Sequence, residues 1–121
     1  LGAASWIAPD DSLSHLASYR WIAAGGLAER VVLRTNSLLN ICHAIRAGLG
    51  VGILPCYLGD AMKGVRRVRA PIPELASAFW LLVHPDLRRV PRIRTVLDEL
   101  PKLVQPYRAL LAGRSTQSSH R

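Results

Sequence analysis

The side chains that could carry chemistry are few, and their spacing does not match the common catalytic motifs. No two histidines stand four residues apart, no Cys-x-x-Cys pair occurs, and no Gly-x-Ser-x-Gly motif supplies a serine nucleophile. A zinc site needs His and Cys ligands at short spacings. We therefore expect no metal site, no cofactor and no enzymatic activity. The four histidines are His15, His43, His84 and His120.

The glycine-rich segment at 48–52 reads Gly-Leu-Gly-Val-Gly. It follows a predicted helix and precedes a predicted strand. Phosphate-binding loops run the other way, from a strand into a helix, so that the helix N-terminus faces the anion. We therefore interpret the segment as a tight turn, with Gly48 ending the helix.

Thr35, Asn36 and Ser37 form a polar segment directly before an apolar helical pattern. Their hydroxyl and amide groups predict an N-cap, because side-chain oxygens satisfy the free backbone N–H groups of a first helical turn. The same helix end has a positive dipole and spare N–H groups that would suit a carboxylate. The sequence thus predicts capping and leaves ligand contact open as a second role.

The two cysteines have different surroundings. Cys42 falls on the apolar stripe of a predicted helix, which is typical of a core residue. Cys56 follows Pro55 at the end of a predicted strand and stands beside Tyr57, and α/β proteins bind ligands at the carboxyl ends of parallel strands. Its thiol could line a pocket or sense oxidants, although no basic residue adjoins it in sequence to activate it.

The middle of the chain predicts a strand, a helix and a second strand in close succession. Residues 31–33 are apolar and mostly β-branched, residues 38–45 have apolar side chains at helical spacing, and residues 51–54 form a short apolar run closed by Pro55. A strand–helix–strand unit of this length favours a parallel sheet covered by helices. The predicted fold class is therefore α/β.

Further elements are predicted on both sides of this unit. They are a strand end at 6–8, a short helix over 12–21, a helix over 55–62, an edge strand over 65–69, a strand buried on both faces over 78–83, and a long helix that begins at Pro91. The long helix has an apolar stripe along one side. Pro101 and Pro106 are expected to kink or divide it.

The chain has 121 residues, two cysteines and a formal net charge of +8, and half of its residues are hydrophobic. This composition excludes a disordered tail, and no apolar run is long enough to cross a bilayer. Residues 60–94 carry eight Lys and Arg against three Asp and Glu. Because this basic region lacks interleaved aromatic side chains, we interpret it as a solvated face. With so few cysteines, a reducing, cytoplasmic setting is expected.

Two stretches together resemble the C-terminal effector-binding domain of LysR-type transcriptional regulators. The first combines residues 34–37, Arg-Thr-Asn-Ser, with residues 45–55, Ile-Arg-Ala-Gly-Leu-Gly-Val-Gly-Ile-Leu-Pro. The second is residues 80–94, Trp-Leu-Leu-Val-His-Pro-Asp-Leu-Arg-Arg-Val-Pro-Arg-Ile-Arg. The likeness covers most of residues 5–112, and the two pieces at this spacing are more specific than either alone.

The resemblance implies a periplasmic-binding-protein-like (type 2) fold of two lobes that hold a small-molecule effector between them. This chain would be a partial domain, a three-layer lobe with a mixed, largely parallel sheet. Residues 1–89 would be the second lobe with the strand that returns to the first. Residues 90–112 would be a helix that packs toward the missing first lobe, and residues 113–121 a flexible tail.

The resemblance also implies where the effector binds and what the protein associates with. The effector would be a small molecule, and the end of the predicted helix suits a carboxylate. Promoter DNA would be bound only through a missing N-terminal helix-turn-helix, and the protein would be a cytoplasmic homo-oligomer that does not bind membranes. The residues that would face the effector are Thr35, Asn36, Ser37, Pro55, Cys56 and Tyr57.

Two other functions fit parts of the sequence. The chain could be one lobe of a solute-binding protein of related fold, which a secretory leader on the parent reading frame would favour. It could also be a basic nucleic-acid-binding module that uses residues 60–94, which salt-dependent retention on DNA would favour. The apolar stripe of the last helix further predicts that the isolated chain dimerises, exchanges elements between copies or aggregates.

Overall fold

The structure is a computed structural model that describes residues 3–114. The chain forms two compact units, Leu1–Leu75 and Ala76–Arg121, here called unit 1 and unit 2. The predicted boundary at residue 89 stays a prediction. Most of the predicted tail at 113–121 lies outside the described residues.

Unit 1 combines short parallel strands with short helices. The strands are β1 (Trp6–Pro9), β2 (Val31–Thr35) and β3 (Val51–Gly52), and the helices are α1 (Ala17–Ala24), α2 (Leu38–Arg46) and α3 (Cys56–Ala61). Single turns of 3-10 helix occupy Asp11–Leu13, Ala28–Arg30 and Pro73–Leu75.

The strands form one parallel sheet with the order β2-β1-β3, so that β1 is the central strand. Ile7 of β1 pairs with Leu33 of β2 on one side and with Gly52 of β3 on the other. This arrangement confirms the predicted α/β class. It also confirms the predicted strand–helix–strand unit, in which α2 carries the chain from β2 across the sheet to β3.

The central strand is buried on both faces because its side chains alternate between two helical layers. Trp6 and Ala8 pack with Ile22 of α1 on one face. Ile7 packs with Ile41 of α2 on the other face. Since successive side chains of a strand point to opposite faces, one short strand supports two apolar layers, and unit 1 has three layers in the order helix, sheet, helix.

Helix α2 has the two ends that its sequence predicts. At its start, Ser37 Oγ accepts a hydrogen bond of 3.4 Å from the backbone N–H of Asn40. At its end, Gly48 has a φ of +81°. The Gly48 N–H donates to the carbonyl of Ile45 at 2.9 Å, and the Leu49 N–H donates to the carbonyl of Ala44 at 3.1 Å. This is a Schellman motif, and its left-handed position explains the glycine.

Two predicted elements of unit 1 differ in the structure. The helix expected over 12–21 is divided into a 3-10 turn and α1. The edge strand expected over 65–69 is wrong, because no strand is assigned there. Instead, Gly64 turns the chain with a φ of +80°. The Arg67 side chain then makes a two-point ion pair with Asp60 of α3, so a side-chain contact holds this segment in place of the backbone hydrogen bonds of a sheet.

Unit 2 begins with the apolar segment 78–83, which the sequence predicts as a strand buried on both faces. No strand forms there, and the side chains of residues 78–82 are exposed, with Trp80 at 80% and Leu82 at 85%. The prediction of burial is therefore wrong for this structure. A strand forms only where a neighbouring strand meets its backbone groups, and the sheet that the structure describes is made of β1, β2 and β3.

The rest of unit 2, as far as residue 114, is mostly helical. Helix α4 (Pro91–Val104) begins at the predicted proline and continues through Pro101, which does not divide it. A 3-10 turn at Gln105–Tyr107, which contains Pro106, and a short helix, α5 (Arg108–Leu111), follow. Within residues 3–114, no helix is both long enough and apolar enough to cross a membrane.

Candidate functional site

The six residues predicted to face an effector all follow strands that end at one edge of the sheet. Since β1, β2 and β3 run parallel, their carboxyl ends lie at the same edge. The segment 35–37 connects β2 to α2, and the segment 55–57 lies between β3 and the body of α3. The central strand separates the two segments, which corresponds to roughly 10 Å between the axes of β2 and β3.

The segment 35–37 is held by hydrogen bonds within the start of α2. Thr35 Oγ1 accepts from the Ser37 N–H at 3.3 Å and from Asn40 Nδ2 at 3.4 Å. Ser37 Oγ accepts from the Asn40 N–H at 3.4 Å, which confirms the predicted cap. Because both hydroxyl groups act as acceptors in these bonds, each keeps its own proton for donation to a further group. The Asn36 side chain is exposed.

The segment 55–57 forms the start of α3. The Pro55 carbonyl accepts from the backbone N–H groups of Leu58 and Gly59, each at 3.0 Å. Pro55, Cys56 and Tyr57 are all half-buried, and Cys56 carries a free thiol. A half-buried thiol and a half-buried ring at the end of a strand are suited to lining a ligand site.

The helix that begins with Cys56 also carries a carboxylate, Asp60, which binds an arginine from the following segment. Arg67 donates from Nε to Asp60 Oδ1 at 2.8 Å and also pairs with the second carboxylate oxygen. The pKa of Arg67 is raised, chiefly by this hydrogen bond to Asp60, and also by the negative charge of Asp60, against a smaller opposing effect of desolvation. The sequence did not indicate this ion pair, because Arg67 falls within the predicted edge strand and no local pattern connects it with Asp60.

The end of the central strand adds charged and polar groups that are not among the six residues predicted to face an effector. Asp10 Oδ1 accepts from the Ser12 N–H at 3.0 Å and so caps the 3-10 turn at Asp11–Leu13. Tyr19 donates from its hydroxyl to Asp11 Oδ1 at 2.9 Å, and this hydrogen bond is the main cause of the raised pKa of Tyr19. Two carboxylates therefore lie between the β2 and β3 segments at this edge of the sheet.

One arginine at the same edge partly balances these carboxylates. Arg34 donates from its guanidinium to the Pro9 carbonyl at 3.2 Å, and the guanidinium carbon lies 6.0 Å from the centroid of the Tyr19 ring. The β1 end remains the more acidic part of the edge, and the start of α2 carries no acidic residue in its first turn. An anionic ligand is therefore better matched to the α2 side.

The histidines do not assemble into a site. His84 caps the 3-10 turn at Pro85–Leu87, accepting from the Asp86 N–H at 3.3 Å, and its ring also lies 3.4 Å from the Asp86 carboxylate. His120 lies outside the described residues. Over residues 3–114, no group of three or more His, Cys, Asp or Glu side chains could hold a metal ion.

The two thiols are expected to react at very different rates. Cys42 is fully buried, and burial raises the pKa of its thiol, so the reactive thiolate is both scarce and inaccessible. In a titration with a coloured disulfide reagent near pH 8, we expect one fast thiol, Cys56, and one that reacts only as the protein unfolds. Cys56→Ser should remove the fast phase alone. Equal rates for both thiols would contradict the packing of α2.

Comparison with known proteins identifies the family. Residues 1–105 of the 121 match the family model described as the LysR substrate binding domain. No curated protein and no solved structure matches the chain significantly. The match spans most of the chain, including every strand of the sheet and both segments of the candidate site. The chain therefore belongs to the family of LysR substrate-binding domains, a family of transcriptional regulators and not of enzymes.

Proposed function

We propose that this chain is the ligand-sensing part of a LysR-type regulator that acts in the cytoplasm. A small-molecule effector binds at the carboxyl edge of the sheet, and its binding controls how a helix-turn-helix outside these residues engages promoter DNA. The observation that carries this proposal is the common edge: within a chain of this family, the segments 35–37 and 55–57 follow two parallel strands of one sheet.

The fold supports a lobe of the periplasmic-binding-protein-like (type 2) kind. The sheet is parallel and lies between α1 and α2, as in an α/β lobe covered on both faces. Ligands of such proteins bind outside the carboxyl ends of the strands. We propose that unit 1 supplies one wall of the effector cleft, and that a second lobe would supply the other.

The chemistry of the edge favours an effector with a carboxylate. The Ser37 and Thr35 hydroxyls keep protons to donate, and the first turn of α2 has a positive dipole end. Asp10 and Asp11 would repel an anion placed at the end of β1, so the carboxylate belongs at the α2 side. Tyr57 and Cys56 then provide apolar contact for the remainder of the ligand.

The mechanism is a shift in population. An effector that binds one arrangement of the lobes more tightly than another favours the first arrangement by its difference in affinity. In a homo-oligomer this difference changes the spacing of the DNA-binding parts, and so couples effector and promoter. The chain itself contributes a helix α2 whose two ends are both fixed by hydrogen bonds. The Ser37 cap fixes its start, where we place the ligand, and the Schellman motif fixes its end.

Ser37→Ala and Tyr57→Ala are each expected to weaken effector binding by about tenfold or more. Ser37→Ala removes a hydrogen bond to a charged partner, which contributes about 1.5–3 kcal/mol. Tyr57→Ala removes the apolar contact of the ring, and burial of a large apolar side chain contributes about as much. The measurement is calorimetric titration of the full-length regulator with a small carboxylate that the unmodified protein binds. Because loss of the cap also costs about 1 kcal/mol of stability, titrations should be run well below the unfolding midpoint.

The matched control is Ser77→Ala, which makes the same chemical change at an exposed position of unit 2. It should leave the affinity unchanged. Unaltered affinity in both Ser37→Ala and Tyr57→Ala would exclude this edge as the effector site.

A further inference from the structure

The two segments of the candidate site are held in different ways. The segment 35–37 begins α2, whose Ile41 is fully buried against the central strand. The segment 55–57 begins α3, in which every residue is half-buried or exposed. Pro55, directly before α3, has no polar side-chain group to cap the first turn. The core therefore fixes α2 directly, whereas α3 depends more on contacts outside the core.

A two-point ion pair connects α3 to the chain that follows it. Arg67 donates from Nε to Asp60 Oδ1 at 2.8 Å, and its Nη2 pairs with Oδ2. The Asp60 side chain is only 7% exposed, and a carboxylate removed from water to this extent needs a partner of opposite charge. Because guanidinium and carboxylate are both planar, two parallel bonds also fix their relative orientation. The pair thus holds the segment that contains Arg67 against α3 in one geometry.

Asp60 shares a side of α3 with two of the residues predicted to face an effector. Cys56 precedes Asp60 by four residues and Tyr57 precedes it by three, and both spacings place side chains on one side of a helix, a turn apart. The segment that Arg67 fastens to Asp60 therefore lies next to the turn that carries the thiol and the ring. Release of this segment would uncover that turn and let it move.

We propose that Arg67 is a positioning residue for the effector site, which acts through Asp60 to hold the start of α3 in the arrangement that accepts the ligand. The inference rests on the proposed function, because it takes the segment 55–57 as part of that site. Arg67 does not touch the ligand. It sets the fraction of molecules in which α3 is in place, and the apparent affinity falls in proportion to that fraction.

The two thiols of the chain report separately on α3 and on the core. Cys56 is half-buried on α3, whereas Cys42 is fully buried on α2. Labelling of the whole 121-residue chain with iodoacetamide, an uncharged reagent, gives one rate for each thiol when the products are resolved by mass spectrometry. The Cys56 rates are compared on their alkaline plateau, where that thiol is fully ionised, so that they measure access and not ionisation.

Arg67→Met removes every N–H donor at nearly the same side-chain length and leaves the Asp60 carboxylate unpaired. We expect the Cys56 rate to rise about tenfold or more while the Cys42 rate changes less than about twofold, because α3 opens locally and the core stays closed. Arg67→Lys keeps the charge but not the two-point geometry, so its Cys56 rate should lie between those of Arg67→Met and the unmodified chain.

The consequence for ligand binding is measured by calorimetric titration of the full-length regulator. Arg67→Met should weaken the binding of a small carboxylate that the unmodified protein binds by about threefold or more, since fewer molecules have α3 in place. Arg66→Met is the matched control, because Arg66 is adjacent, exposed and loses the same charge. It should leave both thiol rates and the affinity unchanged.

An unchanged Cys56 rate in Arg67→Met would overturn the proposal, and so would a faster Cys56 with no loss of affinity. Where Arg67→Met accelerates both thiols, Arg67→Lys decides, and equal acceleration of Cys56 and Cys42 in that variant also would overturn it. The effector site itself is tested separately, by protection of Cys56 when the unmodified protein binds the carboxylate. Absence of that protection counts against the proposed function, whatever the Arg67 variants do to the thiol rates.

Discussion

Replacing Gly50 by alanine is expected to lower the free energy of unfolding by about 3 kcal/mol or more. Gly50 has a φ of +157°, and a Cβ there would lie 2.3 Å from the Ser5 carbonyl oxygen and 2.9 Å from its carbon. That carbonyl accepts the Val51 N–H at 2.9 Å, which begins the pairing of β3 with β1. Both groups in collision are backbone, so neither can move without breaking this pairing.

Urea denaturation followed by circular dichroism measures the loss. Gly26→Ala is the matched control, because Gly26 also has a positive φ, of +66°, but a Cβ there would meet nothing within 4 Å. It should cost only about 1–2 kcal/mol, from backbone strain alone. If the two variants lose the same amount of stability, the approach of Gly50 to Ser5 is not what demands the glycine.

Ile41→Ala is expected to cost about 3–4 kcal/mol of stability. Ile41 is fully buried, packs against Ile7 of the central strand, and is the residue through which α2 reaches the sheet beside Gly52. Truncation leaves a cavity in the layer that fixes the start of α2. We therefore expect effector affinity to fall as well, through a shift of the Ser37 loop rather than through a lost contact.

Leu39→Ala is the control for this variant. Leu39 lies on the same helix but is 56% exposed, so its truncation should change stability by no more than about 0.5 kcal/mol. The measurement is again urea denaturation, with the midpoint and the slope both recorded. Equal costs at the two positions would contradict the assigned face of α2.

Those parts of the fold that depend on neighbours in sequence could be predicted. The start of α2 follows from the hydroxyl of Ser37 next to an apolar helical pattern, and its end follows from Gly48, because capping is a matter of a few adjacent backbone groups. The parallel sheet follows from the succession of strand, helix and strand. All of these are local or depend on one short connection.

The parts of the fold that depend on a partner far along the chain could not be predicted from the sequence. The segment 78–83 has the composition of a buried strand, but composition does not state which strand would pair with it. An edge strand was predicted over 65–69, but in the structure Arg67 of this segment forms an ion pair with Asp60, which no local sequence pattern indicates. Asp10 and Asp11 entered the candidate site only when the order of the strands put β1 in the centre.

The central position of β1 also has a consequence for how the chain reaches this structure. Of the three strands of this sheet, β1 comes first along the chain, and both of its neighbours, β2 and β3, come later. Until β2 and β3 have formed, the apolar side chains and both backbone edges of β1 lack their partners in this sheet, and such a strand is prone to pair with other chains. β3 is the shortest of the three strands, and its pairing with β1 is what covers the second edge of β1 in this sheet.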